Sequence, residues 1–337
     1  MRCCATCFGD ALLKKNLFQQ GCSGICDCCG RASQSLIDPS LARDYFELLL
    51  GVYRPDVQGK PLPEILQRDW NLFPDLSSAQ ILNLLAEIYD DGNRARGSWV
   101  AINEDEEKIL IHKWLDFRPE LMHGNRFFPQ AEFVSILGEF KTSIGEAFVS
   151  SDEIANTLYR ARIWESDSPY VSEDMSAPSK EKAKNGRANP NGIPYLYLAS
   201  EVATAIAEVR PNPNDLVAVS EVRLNHNLLL VDLQHPRKRV SPFTYSDVNY
   251  IAHIRAHLHL MDQLSLDLSK PVLPRTASLD YLPTQYIGEA IKSFGFDGIV
   301  FQSSVAEGFN VALFNPDNAT IRNPTMHQVT RIDFQFN

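Results

Sequence analysis

The 337-residue chain has no cysteine after position 29, so everything beyond that point must fold without disulfides. It also lacks any uninterrupted apolar run near the roughly 18 residues that a membrane span needs. The first residues, Met-Arg-Cys-Cys-Ala-Thr-Cys-Phe, lack the apolar core of a signal peptide, so a cytoplasmic location is expected. Basic charge is scarce: 32 Lys and Arg face 42 Asp and Glu, a formal net charge of −10. That balance excludes broad coating of nucleic-acid phosphates and leaves room only for local basic patches. Neither Gly-x-Gly-x-x-Gly nor Gly-x4-Gly-Lys-Ser/Thr occurs, so a doubly wound nucleotide fold or a P-loop is not supported.

What is present is enough for packed cores, with 44% hydrophobic and 22% charged residues. The length suggests two domains with a small appendage. All 7 cysteines fall at the front: Cys3, Cys4, Cys7, Cys22, Cys26, Cys28 and Cys29. Such crowding without an export signal points to metal ligation. The best register is Cys4-x2-Cys7, 18 residues, then Cys26-x2-Cys29, two knuckles that bring four thiolates onto one structural zinc. Gly21, Gly24 and Gly30 suit the tight turns such knuckles need. Cys3, Cys22 and Cys28 are spare, and Cys3 or Cys28 can displace a neighbour in the set; free reactive thiols are the competing reading.

From Asp38 to Ser150 the apolar spacing is mostly helical. Asp38-Pro39 has the form of an N-cap with proline at the first helical position, followed by Leu41, Tyr45, Leu48, Leu49 and Val52. Ser77 or Ser78 caps a second helix carrying Ile81, Leu82, Leu85, Ile88 and Tyr89, with Gly92 as its terminator. Phe133, Ile136, Leu137, Phe140, Ile144 and Phe148 outline a third. Glu104 to Glu107 reads as a solvated helix start. Arg118 and His123 form an Arg-x4-His pair that could serve RNA cleavage, against a structural reading in which Pro119 disturbs their spacing.

Glu165 to Gly192 has almost no apolar periodicity and reads as a long loop, basic from Lys180 to Arg187, that is expected to order on ligand binding. The pattern then alternates irregularly. Strands are expected over Pro194–Ala199, Leu216–Leu224, Leu228–Leu233, Gly298–Gln302, Asn310–Phe314 and Val329–Phe336. Helices are expected over Glu201–Arg210, Tyr250–Leu266 and Thr284–Phe294. Glu201 and Glu208, seven apart, share one face that by itself reads as solvated.

Several short motifs in this half occur in a telling order. They are Leu158-Tyr159-Arg160-Ala161-Arg162, then Gly186-Arg187-Ala-Asn189-Pro-x-Gly192-x-Pro194-Tyr-x-Tyr197, then Ala205-x-x-Glu208, then Asp297-Gly298 through Ser303 to Asn310 and Phe314. Together they resemble the RES domain, a family that includes NAD-destroying toxins of toxin–antitoxin pairs. The cysteine-rich helical front resembles the HEPN-type domain fused to some RES domains. The resemblance implies an α+β fold: an ADP-ribosyltransferase-like split antiparallel sheet with flanking helices, preceded by a zinc knuckle and a mostly helical domain. The expected domains are 1–33, cysteine-rich and zinc-binding; 34–150, helical and HEPN-like; and 151–337, the catalytic RES domain.

By position, Arg160 matches the family arginine, with Arg162 a near-duplicate; Tyr197 the strand tyrosine; Glu208 the glutamate; and Ser303 the serine, with Ser304 an alternative. The activity implied is cleavage of the nicotinamide–ribose bond of NAD by water or phosphate, in a toxin or defence effector. Transfer of ADP-ribose to a macromolecule is the alternative, and an RNA-cleaving or sensing front half a further one. The residue types suit the chemistry. A Glu208 carboxylate can steady an oxocarbenium-like sugar, Arg160 can fork onto pyrophosphate, Tyr197 can stack on nicotinamide, and Ser303 can bond the ribose or amide. Arg187 and Asn310 join the expected NAD-binding set. The expected partners are NAD and a protein antitoxin or inhibitor, although the long front and extended loop depart from the toxin pattern. No membrane is expected, and a homo-oligomer stays open.

Overall fold

The computed structural model describes residues 1–129, 131–273 and 275–332, with side chains left out at 131–136. The chain divides into two compact units, Met1–His112 with Pro236–Leu260, and Lys113–His235 with Met261–Asn337. Among the described residues no helix is long and apolar enough to cross a membrane.

In the first unit, Cys3–Cys4, Ala32–Ile37 and Cys22–Ile25 form a small antiparallel sheet. Tyr53–Pro61 pairs with Ser98–Ala101. Helices surround a cluster of rings in which Phe8, Phe46 and Phe73 lie with centroids 6.0–6.3 Å apart. Asp38 does cap, accepting from Ser40 N, but it caps a 3-10 turn, Pro39–Ala42, ahead of the helix Arg43–Leu50. Ser77 and Gln80 make a reciprocal capping box at the start of Ser78–Tyr89. That helix ends at Asp90, in the left-handed region with φ 53°, not at Gly92, which opens the next short helix behind the Asp91 cap. Glu104 starts the helix Glu104–His123, yet its acidic run is not simply solvated. Glu107 bonds Arg255, a fully buried guanidinium that also reaches Asp69.

The second unit is built on one sheet. Its strands are β1 (Phe148–Ser150), β2 (Leu158–Ile163), β3 (Leu196–Ala199), β4 (Leu216–Leu224), β5 (Leu229–Asp232), β6 (Gly298–Gln302), β7 (Phe309–Leu313), β8 (Ala319–Ile321) and β9 (Thr325–Gln328). Their order is β8-β4-β2-β3-β7-β6-β5-β1, with β9 also on β4. All pairs are antiparallel except β5 with β6. The expected α+β class therefore holds. The helix expected to include Phe148 ends at Gly145, and Phe148 begins β1 instead. In that helix the side chains of Phe133 and Ile136 lie outside the described residues, whereas Phe140 and Ile144 are buried. The last strand is Thr325–Gln328; 329–332 form no strand, and the rest of the expected segment lies outside the described residues.

One face of this sheet buries Val149, Leu158, Leu196, Leu198, Val222, Leu230, Val300, Val311 and Leu313. Since side chains alternate along a strand, Tyr197 and Ala199 on β3, Phe301 on β6 and Asn310 on β7 project to the other face. The split in the sheet falls between β2 and β3, which pair only at Tyr159 and Ala199. Arg160 fills the divergence: its guanidinium donates to Tyr197 O at 3.0 Å and to Ser176 O at 3.2 Å.

Candidate functional site

A cavity of about 270 Å³ opens on the polar face of the sheet beside this split. Its wall includes Tyr159, Arg160, Arg187, Tyr197, Glu208 and Asn310, closed further by Tyr281 and Phe301. Of the expected site residues, Ser303 alone is not in the wall.

Glu208 ends the helix Val202–Glu208, whose Thr204 and Ala205 are buried. Glu201 is the exposed N-cap of that helix and Glu208 lines the cavity, so the two do not share a solvated face. Ser303 Oγ at 2.8 Å and Asn310 Nδ2 at 2.6 Å both donate to Glu208 Oε1. Ser303 Oγ is itself gripped by the turn that follows, accepting from Val305 N at 3.2 Å and Ala306 N at 3.3 Å. The serine thus helps to fix the carboxylate. Oε2 is the oxygen left for a ligand.

Arg160 and Arg162 stand two apart on β2 but differ in surroundings. Arg162 is exposed, donates to Asp174 O at 2.8 Å and lies 5.1 Å from the Tyr170 ring centre. Arg160 reaches the cavity, and its buried Nε has no acceptor among the described residues. Burial, helped by Arg162, lowers its pKa to about 10, so it remains a cation at neutral pH.

The loop from Glu165 to Gly192 contains the short helix Ser172–Met175, and much of it is firmly packed. Met175, Ala183, Ala188 and Asn189 are buried, as is Arg187. Thr284 Oγ1 donates to Arg187 O and Gln285 Nε2 to Gly186 O, bolting the loop to the helix Leu282–Ser293. The Arg187 guanidinium donates to Leu268 O, Lys270 O and Ser304 Oγ at 2.7–3.0 Å and lies 5.5 Å from the Tyr281 ring centre. Ser304 is therefore a brace for Arg187. With its fork so engaged, Arg187 offers fixed positive charge more than free donors.

Tyr197 is locked by the same loop. Its hydroxyl donates to Asn189 Oδ1 at 2.8 Å and accepts from Ala188 N at 3.0 Å, and burial pushes the phenol pKa up, so it stays neutral. Asn189, 3% exposed, also donates to Lys184 O, Pro190 O and Ile193 O. Any Cβ at Gly186 would overlap Asn189 Oδ1 and Tyr197 Oη. Gly186→Ala is accordingly expected to destabilise this unit by about 1–3 kcal/mol through overpacking. Calorimetry checks this, and an unchanged melting temperature would mean the loop yields freely. Asn189 lay within a quoted motif without a role; Tyr281 has no local signal in the sequence, since only the tertiary fold brings it to the cavity.

In the first unit, Cys4, Cys7, Cys26 and Cys29 converge with all Sγ atoms within 4.8 Å of one another. Neighbouring sulfurs lie 3.5–3.8 Å apart. A tetrahedral ion with bonds of about 2.3 Å needs edges of about 3.8 Å, so the donor set and its spacing fit. Gly30, with φ 73°, makes the turn after Cys29, and Cys29 N points to Cys26 Sγ at 3.4 Å. Cys3 and Cys28 are buried outside this set, and Cys22 is exposed. Arg118 is ion-paired with Asp267 at 3.3 Å, and His123 is exposed at the helix end.

Residues 157–337, over half of the chain, match the family model of the RES domain. The chain belongs to the RES domain family. Among solved structures, a chain of the M. tuberculosis MbcT-MbcA toxin-antitoxin complex is similar at 14% identity and a TM-score of 0.32, covering 57% of this chain and 92% of that one. No curated protein matches the chain.

Proposed function

We propose that the second unit binds NAD and breaks its nicotinamide–ribose bond. The observation that carries this is Glu208, held through Oε1 by Ser303 and Asn310 in the wall of a cavity that also holds Arg160 and Tyr197. As the bond lengthens, positive charge grows on the ribose. A carboxylate already fixed in place stabilises that charge without reorganising. Nicotinamide leaves as a neutral molecule, so no strong acid is needed. The Tyr197 ring, immobilised by Asn189, gives nicotinamide a flat face. The charges of Arg160 and Arg187 in the same wall favour pyrophosphate. At about 270 Å³ the cavity is below the roughly 300–1,000 Å³ of drug-sized sites, so it takes the nicotinamide riboside half and the adenosine half extends outward.

Purified protein is expected to release nicotinamide from NAD. Mass spectrometry then identifies the acceptor: free ADP-ribose for water, ADP-ribose phosphate for phosphate, or a labelled macromolecule for transferase action. Intact NAD after prolonged incubation would overturn the proposal. Expression in a bacterial host is expected to arrest growth as NAD falls. Ser303→Ala and Asn310→Ala are each expected to lower kcat about 10- to 100-fold, the value of a hydrogen bond to a charged group, with little change in KM. A loss confined to KM would make these residues ligand contacts instead. In the first unit, the four-thiol cluster is proposed to hold a structural zinc. Closed by four thiolates, such a site has no open position and no part in the reaction.

A further inference from the structure

We propose that Glu106, His253 and His257 form a second metal site in the first unit, a three-ligand site for a divalent transition-metal ion. One ligand atom from each lies within 4.8 Å of the other two. His253 and His257 are four apart on the helix Val248–Ser269, which puts both imidazoles on one face one turn apart. Glu106 comes from a different helix, Glu104–His123, and its Oε1 lies 2.8 Å from His253 Nδ1.

The surroundings orient the ligands as those of metal sites do. His257 is fully buried, and its Nδ1 lies 3.1 Å from His253 O. A carbonyl only accepts, so Nδ1 carries a proton and Nε2 is the ring atom that would serve as the ligand. Asn103 Nδ2 donates to Glu106 Oε2 at 2.9 Å and to Ala252 O at 2.6 Å, which leaves Oε1 for the ion. Asn103 Oδ1 is in turn fixed by Arg255 Nε and Nη2 at 3.3 and 3.1 Å. The Arg255 charge is met by Asp69 at 3.3 Å and Glu107 at 2.7 Å, so it does not oppose a cation at the neighbouring cluster.

Imidazole nitrogens with one carboxylate select zinc-like ions over magnesium or calcium. Bonds of about 2.0–2.1 Å call for ligand edges of about 3.4 Å, reached when half-exposed Glu106 swings slightly from His253. Three protein ligands leave a position open, unlike the cysteine cluster, so a water or a ligand donor completes the sphere.

The test is cobalt titration of the metal-stripped full chain, with metal counted by plasma mass spectrometry. The wild-type protein is expected to bind one equivalent more than Glu106→Gln or His253→Gln. The extra equivalent gives weak visible bands without the thiolate-to-cobalt charge-transfer band of the cysteine cluster. Asn103→Ala is expected to weaken that equivalent about 10- to 100-fold. Both altered side chains at 106 and 253 are partly exposed, so those variants retain the fold, checked by circular dichroism. Equal cobalt binding by wild type, Glu106→Gln and His253→Gln, or a thiolate band on every bound ion, would overturn the proposal.

Discussion

Replacing Glu208 by glutamine is expected to slow nicotinamide release about 10³-fold, the upper range for removing one preorganised charge-stabilising group. Glutamine keeps the size and can still accept through its carbonyl oxygen the bonds that Ser303 Oγ and Asn310 Nδ2 now donate to Oε1. What it loses is the negative charge facing the sugar, which matters more in the transition state than in the bound substrate. Loss should therefore fall on kcat, with NAD affinity nearly unchanged. Single-turnover assays alongside equilibrium binding separate the two. A variant that keeps wild-type turnover would remove Glu208 from the reaction.

The second large effect concerns the cysteine cluster. Cys7→Ser is expected to abolish zinc binding there and to unfold the front of the first unit. Structural zinc contributes about 10–16 kcal/mol in isolated finger peptides, more than a small segment can replace by packing. Cys7 follows Cys4 by one turn and precedes Phe8, whose ring contacts Phe18, Phe46 and Phe73. Releasing the knuckle frees that ring from its neighbours. Proteolysis with and without a chelator reads this directly, with faster cleavage near residue 29 in the variant and the chelated wild type. Equal resistance in all three would show that no metal holds the segment.

The sequence carries these features unevenly. The cysteine spacing was legible up to its register, because pairs with two residues between them suit a four-ligand site, and Cys4, Cys7, Cys26 and Cys29 are the set that converges. The catalytic half was legible through short motifs in order, and Arg160, Tyr197, Glu208 and Asn310 share a cavity. Periodicity placed β4 and β6 to the residue, since buried runs of Val, Ile and Leu leave little choice. It failed where tertiary contacts decide. The loop around Arg187 and Asn189 looks polar in sequence, yet the Arg187 guanidinium is satisfied by carbonyls more than 80 residues away, Leu268 O and Lys270 O. The bond between Ser303 and Glu208 had no signal in sequence, since the two lie 95 residues apart. Pro236–Leu260 joins the first unit without any mark in local pattern, and with it come Arg255, His253 and His257.

Arg160 sits where two strands part and ties Tyr197 O to Ser176 O across the opening. The same cation that would grip a ligand is also part of the architecture. On the proposed function, any replacement there would be penalised twice, once in chemistry and once in folding. A descendant of this chain that abandoned catalysis while staying folded would therefore give up the acid at 208 first and the base at 160 last. On that proposal, activity is lost at Glu208 without parting the sheet, whereas at Arg160 the split loses its tie.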